Sequence, residues 1–159
     1  MADLSRREAL VIVAATTAAC ACCADAADGD SKPNDKPTPK SIEIGKLADY
    51  DKDGFYDKFA DSKVLVAKLP DRLVVMSNVC THKRCVVKPK VDDVKGLFCR
   101  CHKGQYDEQG IPRAGPPKMP LVRYALKVAD DGTITADTTQ SFEERKWDDK
   151  AAFIPIKAS

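Results

Sequence analysis

Two short stretches, Cys80-Thr81-His82-Lys83-Arg84-Cys85 and Cys99-Arg100-Cys101-His102, constrain this chain more than any other feature. The 159 residues include only two histidines, and each lies just after a cysteine in one of these stretches. One thiolate and one imidazole from each stretch make a mixed sulfur and nitrogen donor set, suited to an iron-sulfur cluster or to zinc. The order of the residues bears on the choice. Zinc fingers usually place both cysteines in one half and both histidines in the other, whereas each half here is mixed. In a two-iron cluster one iron can take both thiolates and the other both imidazoles, provided each loop donates one of each. A further cysteine in each stretch, Cys85 and Cys101, is redundant as a ligand. A disulfide between such spare thiols would hold two facing loops together when no metal is present.

Read on through Lys103-Gly104-Gln105-Tyr106, the two stretches resemble the Rieske 2Fe-2S signature, Cys-x-His…Cys followed by Cys-x-Cys-His. The likeness extends to the spacing between loops, the spare cysteine in each, and Gly115-Pro116-Pro117, which resembles the proline loop covering the cluster in respiratory members. The resemblance implies one 2Fe-2S cluster, with Cys80 and Cys99 on one iron, His82 and His102 on the other, and Cys85 paired with Cys101. It also implies two potential-tuning positions. In quinol-oxidising relatives a serine two residues after the second histidine and a tyrosine four after it donate hydrogen bonds at the cluster; here Gly104 and Tyr106 stand there. One donor is kept and one is missing, so an intermediate potential is expected within the roughly −150 to +300 mV range of such clusters. The competing reading is a structural zinc site, or a pair of disulfides with incidental histidines.

The net charge of +2, with acids and bases interleaved, supplies no basic face for nucleic acid. Ser5-Arg6-Arg7, followed by an uncharged Ala-, Val- and Thr-rich stretch from Val11 to Ala24, resembles a twin-arginine export signal. That stretch is short for a membrane span, and Ala24-Asp25-Ala26 offers a cleavage site. Lipidation at the Cys20, Cys22 and Cys23 cluster is the alternative, so membrane association through the N-terminal segment stays open. The expected organisation is a signal segment over 1–27, a Pro-rich linker over 28–40 and a Rieske 2Fe-2S domain over 41–159. Export by the twin-arginine route would deliver it to the periplasm or the outer face of the cytoplasmic membrane.

From Ser41 the pattern is one of short β segments: Ile42 and Ile44 alternating with polar residues, Val64 to Ala67, Leu73 to Met76, Leu121 to Val128, and Thr133 to Ala136 after the turn Asp130-Asp131-Gly132. The apolar runs ending near Cys80 and Cys99 place both loops at strand ends. With no long amphipathic helical pattern, the expected fold is all-β: a Rieske-type antiparallel β-sandwich with a cluster-binding subdomain of two loops. Trp147, Phe153, Ile154 and Ile156 are expected to pack as a final strand. Asp49-x-Asp51-x-Asp53-Gly54 copies the first half of an EF-hand loop, but Ala60 stands where the bidentate glutamate belongs, so a solvated turn is expected.

The functional expectation is one-electron transfer in an exported protein, with no substrate site of its own, and coupled to protons through the histidines. The partners expected are a cytochrome-like acceptor, an oxidoreductase large subunit or a quinol-oxidising complex. Membership of a larger complex, of the quinol:cytochrome c reductase or arsenite-oxidase-like kind, is the alternative. Lys83-Arg84 replaces the apolar residue and glycine of the quinol-oxidising pattern, and a cationic tip suits an acidic protein better than a quinone pocket.

Overall fold

A computed structural model describes residues 37–90 and 96–156. The signal segment expected over 1–27, and most of the linker expected over 28–40, lie outside the described residues. The strands are β1 (Ser41–Lys46), β2 (Gly54–Tyr56), β3 (Val64–Lys68), β4 (Arg72–Ser77), β5 (Val87–Pro89), β6 (Leu97–Cys99), β7 (Gly104–Tyr106), β8 (Pro112–Ala114), β9 (Arg123–Val128), β10 (Thr133–Phe142) and β11 (Ile154–Pro155). Among the described residues the only helical pieces are single 3₁₀ turns at Leu47–Asp49, Ala60–Ser62 and Glu144–Lys146. None is long and apolar enough to cross a membrane.

The strands form two antiparallel sheets. The larger runs β1-β10-β9-β4-β3-β2, with β11 also paired to β4; the smaller runs β5-β6-β7-β8. Their relation is written in β3 and β4, which lack the polar alternation of a half-exposed strand because both of their faces are covered. Leu65, Ala67, Val74 and Met76 point into one apolar cluster with Val87, Leu97, Tyr106 and Leu121 of the cluster-loop region. Their alternate neighbours Val64, Val66, Leu73 and Val75 point into a second with Ile42, Ile44, Leu126 and Ile134. Because strands from opposite ends of the large sheet share that second cluster, the sheet curls around it. Each aliphatic side chain fully buried in this way contributes about 1.5–3 kcal/mol.

Several local features follow from single residues. Gly45 sits at a bulge between β1 and β10 with φ +94°, and the Asp49 carboxylate fills the space a Cβ would need. The Asp/Gly run expected to be a solvated turn is used as one: Asp49 accepts from the Lys46 N–H, and Asp53 pairs with Lys68 at 3.0 Å. The last linker residues are docked, since Lys40 accepts from the Thr138 N–H at 3.0 Å. Ile154 pairs with Leu73, so the tail ends in a strand two residues long, and Trp147 is buried.

Candidate metal centre

Both signature stretches are hairpin tips at one end of the small sheet. After β4 the chain turns at Val79, bridged to Val86, and the Cys80 N–H donates to the Cys85 carbonyl at 2.8 Å while Arg84 N–H returns to the Cys80 carbonyl at 3.0 Å. The strand that leaves this tip pairs Val87 with Cys99, and Cys99 in turn faces Gly104 across the second tip. Register on three adjacent strands therefore sets the two tips side by side.

A disulfide joins Cys85 to Cys101 with a Cα–Cα distance of 6.5 Å. The Sγ atoms of Cys85, Cys99 and Cys101 lie within 4.8 Å of one another, so Cys99 abuts the bridge. Cys80 and Cys99 are free thiols, 3% and 1% exposed. Burial raises the Cys99 thiol above its ordinary pKa, and its hydrogen bond with Cys80 raises it further. The His82 and His102 rings meet edge-on with centroids 4.7 Å apart.

The residues present fit a bound metal group. His82 Nδ1 is buried with no hydrogen-bond partner, an arrangement that costs free energy unless something occupies its lone pair. Partial desolvation, then His102 and Lys83, lower the His82 pKa and so favour the neutral imidazole that a metal requires. Each tip supplies one buried free thiol and one imidazole. The same donors suit zinc or a two-iron cluster.

Around these donors lie Tyr106, one of the two positions that the resemblance singles out, and partners that the pattern of residues does not reveal. Tyr106, 1% exposed, lies with its Oη 3.3 Å from Cys80 Sγ, accepts the Thr81 N–H at 3.2 Å and is 3.1 Å from Thr81 Oγ1. Burial pushes its phenol up to about 12, with Cys80 adding to the shift. Thr81 donates its hydroxyl proton to the Met119 carbonyl at 2.8 Å, tying the first tip to the segment after the Gly-Pro-Pro stretch. A Cβ built on Gly104 would lie 2.7 Å from Pro117 Cγ, so that proline occupies the space a serine would need. Gly115, at φ +85°, lets the chain pass so close that a Cβ there would lie 2.8 Å from the Lys103 carbonyl oxygen. Nothing in the sequence marked Thr81 individually, because it acts through Tyr106 and Met119, both distant along the chain.

Sequence reading also missed a buried cation. Arg123, 1% exposed, stacks its guanidinium 3.9 Å from the Trp147 ring and reaches the Gln109 carbonyl and side-chain oxygens at 3.4 Å. Its Nε has no hydrogen-bond partner, and burial, followed by repulsion from Arg72, lowers its pKa to about 10.

A family profile described as the Rieske [2Fe-2S] domain matches residues 40–127, more than half of the chain. The chain is 36% identical over 78 residues to a carotenoid phi-ring synthase of Chlorobaculum tepidum, covering 49% of this chain and 12% of that protein. It is 35% identical over 77 residues to a cytochrome b6-f complex iron-sulfur subunit of Chlorobaculum thiosulfatiphilum, covering 48% and 42%. A ubiquinol-cytochrome c reductase iron-sulfur subunit of Rickettsia typhi is 31% identical over 90 residues, covering 57% and 46%. The chain spans less than half the length of each of these relatives.

Proposed function

Since the chain belongs to the Rieske [2Fe-2S] domain family, we propose that it is an exported one-electron carrier whose cluster is held by Cys80, Cys99, His82 and His102. The observation that carries the reading is the enclosed, partnerless His82 Nδ1 beside a second imidazole and two buried free thiols. Bound there, the cluster supplies a one-electron couple, with two neutral imidazoles raising its potential above that of an all-thiolate cluster.

The chain's own residues do the rest. Cys80 and Cys99 bring two buried sulfurs to the site, His82 brings a half-buried imidazole and His102 an exposed one. Tyr106 holds a hydroxyl against the Cys80 sulfur, and the Cys85–Cys101 bridge keeps the tips from separating. A structural disulfide favours an oxidising compartment, which supports export; the twin-arginine-like start of the chain supports the route. The cationic residues Lys83 and Arg84 favour a protein redox partner such as a cytochrome-like acceptor over a quinone pocket. Relatives named as subunits of cytochrome b6-f and ubiquinol-cytochrome c reductase complexes support a second reading, membership of a larger oxidoreductase. A large subunit co-purifying with the native chain would favour it.

The deciding experiment is anaerobic purification of the full chain with metal, sulfide and EPR analysis. About two irons and two sulfides per chain, with a rhombic signal of low average g after dithionite reduction, are expected for mixed Cys/His ligation. A colourless protein containing zinc would overturn the proposal.

A further inference from the structure

We infer that the outer face of the small sheet holds a binding site for a planar aromatic anion, a fused-ring compound that carries a phosphate, sulfonate or carboxylate. The inference goes beyond the electron-transfer reading and does not depend on it. A cleft of about 710 Å³ opens between that face and the edge strand β2, within the roughly 300–1,000 Å³ of sites that take drug-sized ligands. None of Cys80, His82, Cys99 and His102 lines it.

The first observation is a phenylalanine where the strand pattern calls for a polar residue. Leu97 and Cys99 of β6 are 0% and 1% exposed, so alternation turns Phe98, between them, to the other face of the sheet. On the open side of an antiparallel sheet such a position is ordinarily polar. Its partners across the ladders obey that rule, with Lys88 on β5 and Gln105 on β7. Phe98 is half-buried, yet it belongs to neither apolar cluster, so core packing does not account for it. Phe55 of β2 supplies a second half-buried ring to the same cleft. Two such rings offer stacking faces to a planar ligand.

The second observation is charge. Lys88 and Arg100 are exposed at the cleft and make no ion pair among the described residues. Lys90, in the same lining, donates to the Gln105 side-chain oxygen at 2.9 Å, so that amide keeps its NH₂ group as a donor. Asp57 is the single carboxylate of the lining. The adjoining hollow that shares Phe55 is lined by Asp49, Asp51 and Asp53, which repel an anion and confine it to the side of Lys88 and Arg100. A guanidinium suits both halves of the ligand, since it stacks on rings and pairs with phosphate or carboxylate through two N–H groups. A bare inorganic anion would leave the two phenylalanine faces unused, and a neutral ring would leave the cations unused. A compound carrying ring and charge together uses both.

The test is isothermal titration calorimetry on the full-length protein, with flavin mononucleotide as the probe because it joins a fused ring to a phosphate. Riboflavin supplies the ring without the charge, and inorganic phosphate supplies the charge without the ring. We expect flavin mononucleotide to bind about tenfold or more tightly than either. Phe98→Thr, which suits a solvent-facing strand position, should weaken that binding about tenfold or more. Lys88→Glu with Arg100→Glu should weaken it about as much while leaving riboflavin unchanged. Lys146→Glu with Lys150→Glu, matched in charge and outside the cleft, should change neither. Thermal denaturation checks the folding of each variant, and the charge-reversed pair carries the test if Phe98→Thr does not fold. Riboflavin or phosphate binding as tightly as flavin mononucleotide, a flavin mononucleotide Kd above about 1 mM, or equal losses in the matched control would overturn the assignment. Any of these would leave the electron-transfer reading standing, because no candidate ligand lines the cleft.

Discussion

Replacing Tyr106 by phenylalanine removes one oxygen from a site where its work can be itemised. The phenol is 1% exposed and, with a pKa pushed up to about 12, stays protonated at any pH where the protein would be used. Its single proton is divided between Cys80 Sγ at 3.3 Å and Thr81 Oγ1 at 3.1 Å; the latter can only accept, because the Thr81 hydroxyl donates to the Met119 carbonyl. A hydrogen bond to a sulfur strengthens as negative charge arrives there. The gain from a neutral to a charge-assisted bond is about 1 kcal/mol. For a one-electron couple 59 mV corresponds to about 1.4 kcal/mol, so Tyr106→Phe should lower the reduction potential by roughly 40 mV. The substitution also strands the Thr81 N–H, which should cost about 1–3 kcal/mol of stability. Spectroelectrochemical titration of the parent and variant, with EPR to confirm an intact cluster, measures the first effect; thermal denaturation measures the second. A variant that keeps its cluster and shifts by less than about 10 mV, or shifts upward, refutes the argument that this proton is shared with sulfur.

Four further outcomes follow from the same geometry. Gly104→Ser should not restore a donor, because its Cβ meets Pro117 at 2.7 Å; it should reduce cluster occupancy, whereas Gly104→Ser with Pro117→Ala should keep the cluster and raise its potential, as potentiometry would show. Cys85→Ser with Cys101→Ser opens a bridge of sequence separation 16, which should cost the metal-free protein about 3 kcal/mol in urea denaturation; a loss under about 1 kcal/mol would mean the tips are held by other contacts. Arg123→Met replaces a buried cation that has no carboxylate within salt-bridge distance among the described residues, so the melting temperature should hold or rise, while Arg123→Ala should lower it through the cavity under Trp147. Asp137, whose pKa is lowered first by the Thr139 hydroxyl and then by Lys127, contributes stability above its ordinary 3.8 that is lost as pH falls through its depressed folded value. Asp137→Asn should therefore melt below the parent at pH 7, with the gap closing under about pH 4; a gap independent of pH would refute the assignment.

Donor chemistry and strand periodicity were local, and so they were legible. His82 and His102 were the only histidines and each followed a cysteine, so the candidate ligand set stood out without any fold. Ile42 and Ile44 read as a half-buried strand because their neighbours are polar, and the Asp130-Asp131-Gly132 turn announced the β9–β10 hairpin. The short strands β5, β7 and β8 carried no such pattern. Each is three residues long, below the length at which alternation can be recognised, and each is a strand only because the small sheet pairs it.

The sequence by itself therefore determined the chemistry: two thiols, two imidazoles, two spare cysteines and an all-β chain to carry them. Tertiary structure alone decided how those groups are tuned and presented. It placed Tyr106 and Thr81 on one hydrogen-bond network from 25 positions apart, filled the serine position at Gly104 with Pro117, and buried Arg123 beneath Trp147. The physical reason is the same in each case. Ligand identity is a property of single side chains, whereas proton sharing and close packing depend on distances that are fixed only when the two hairpin tips stand side by side.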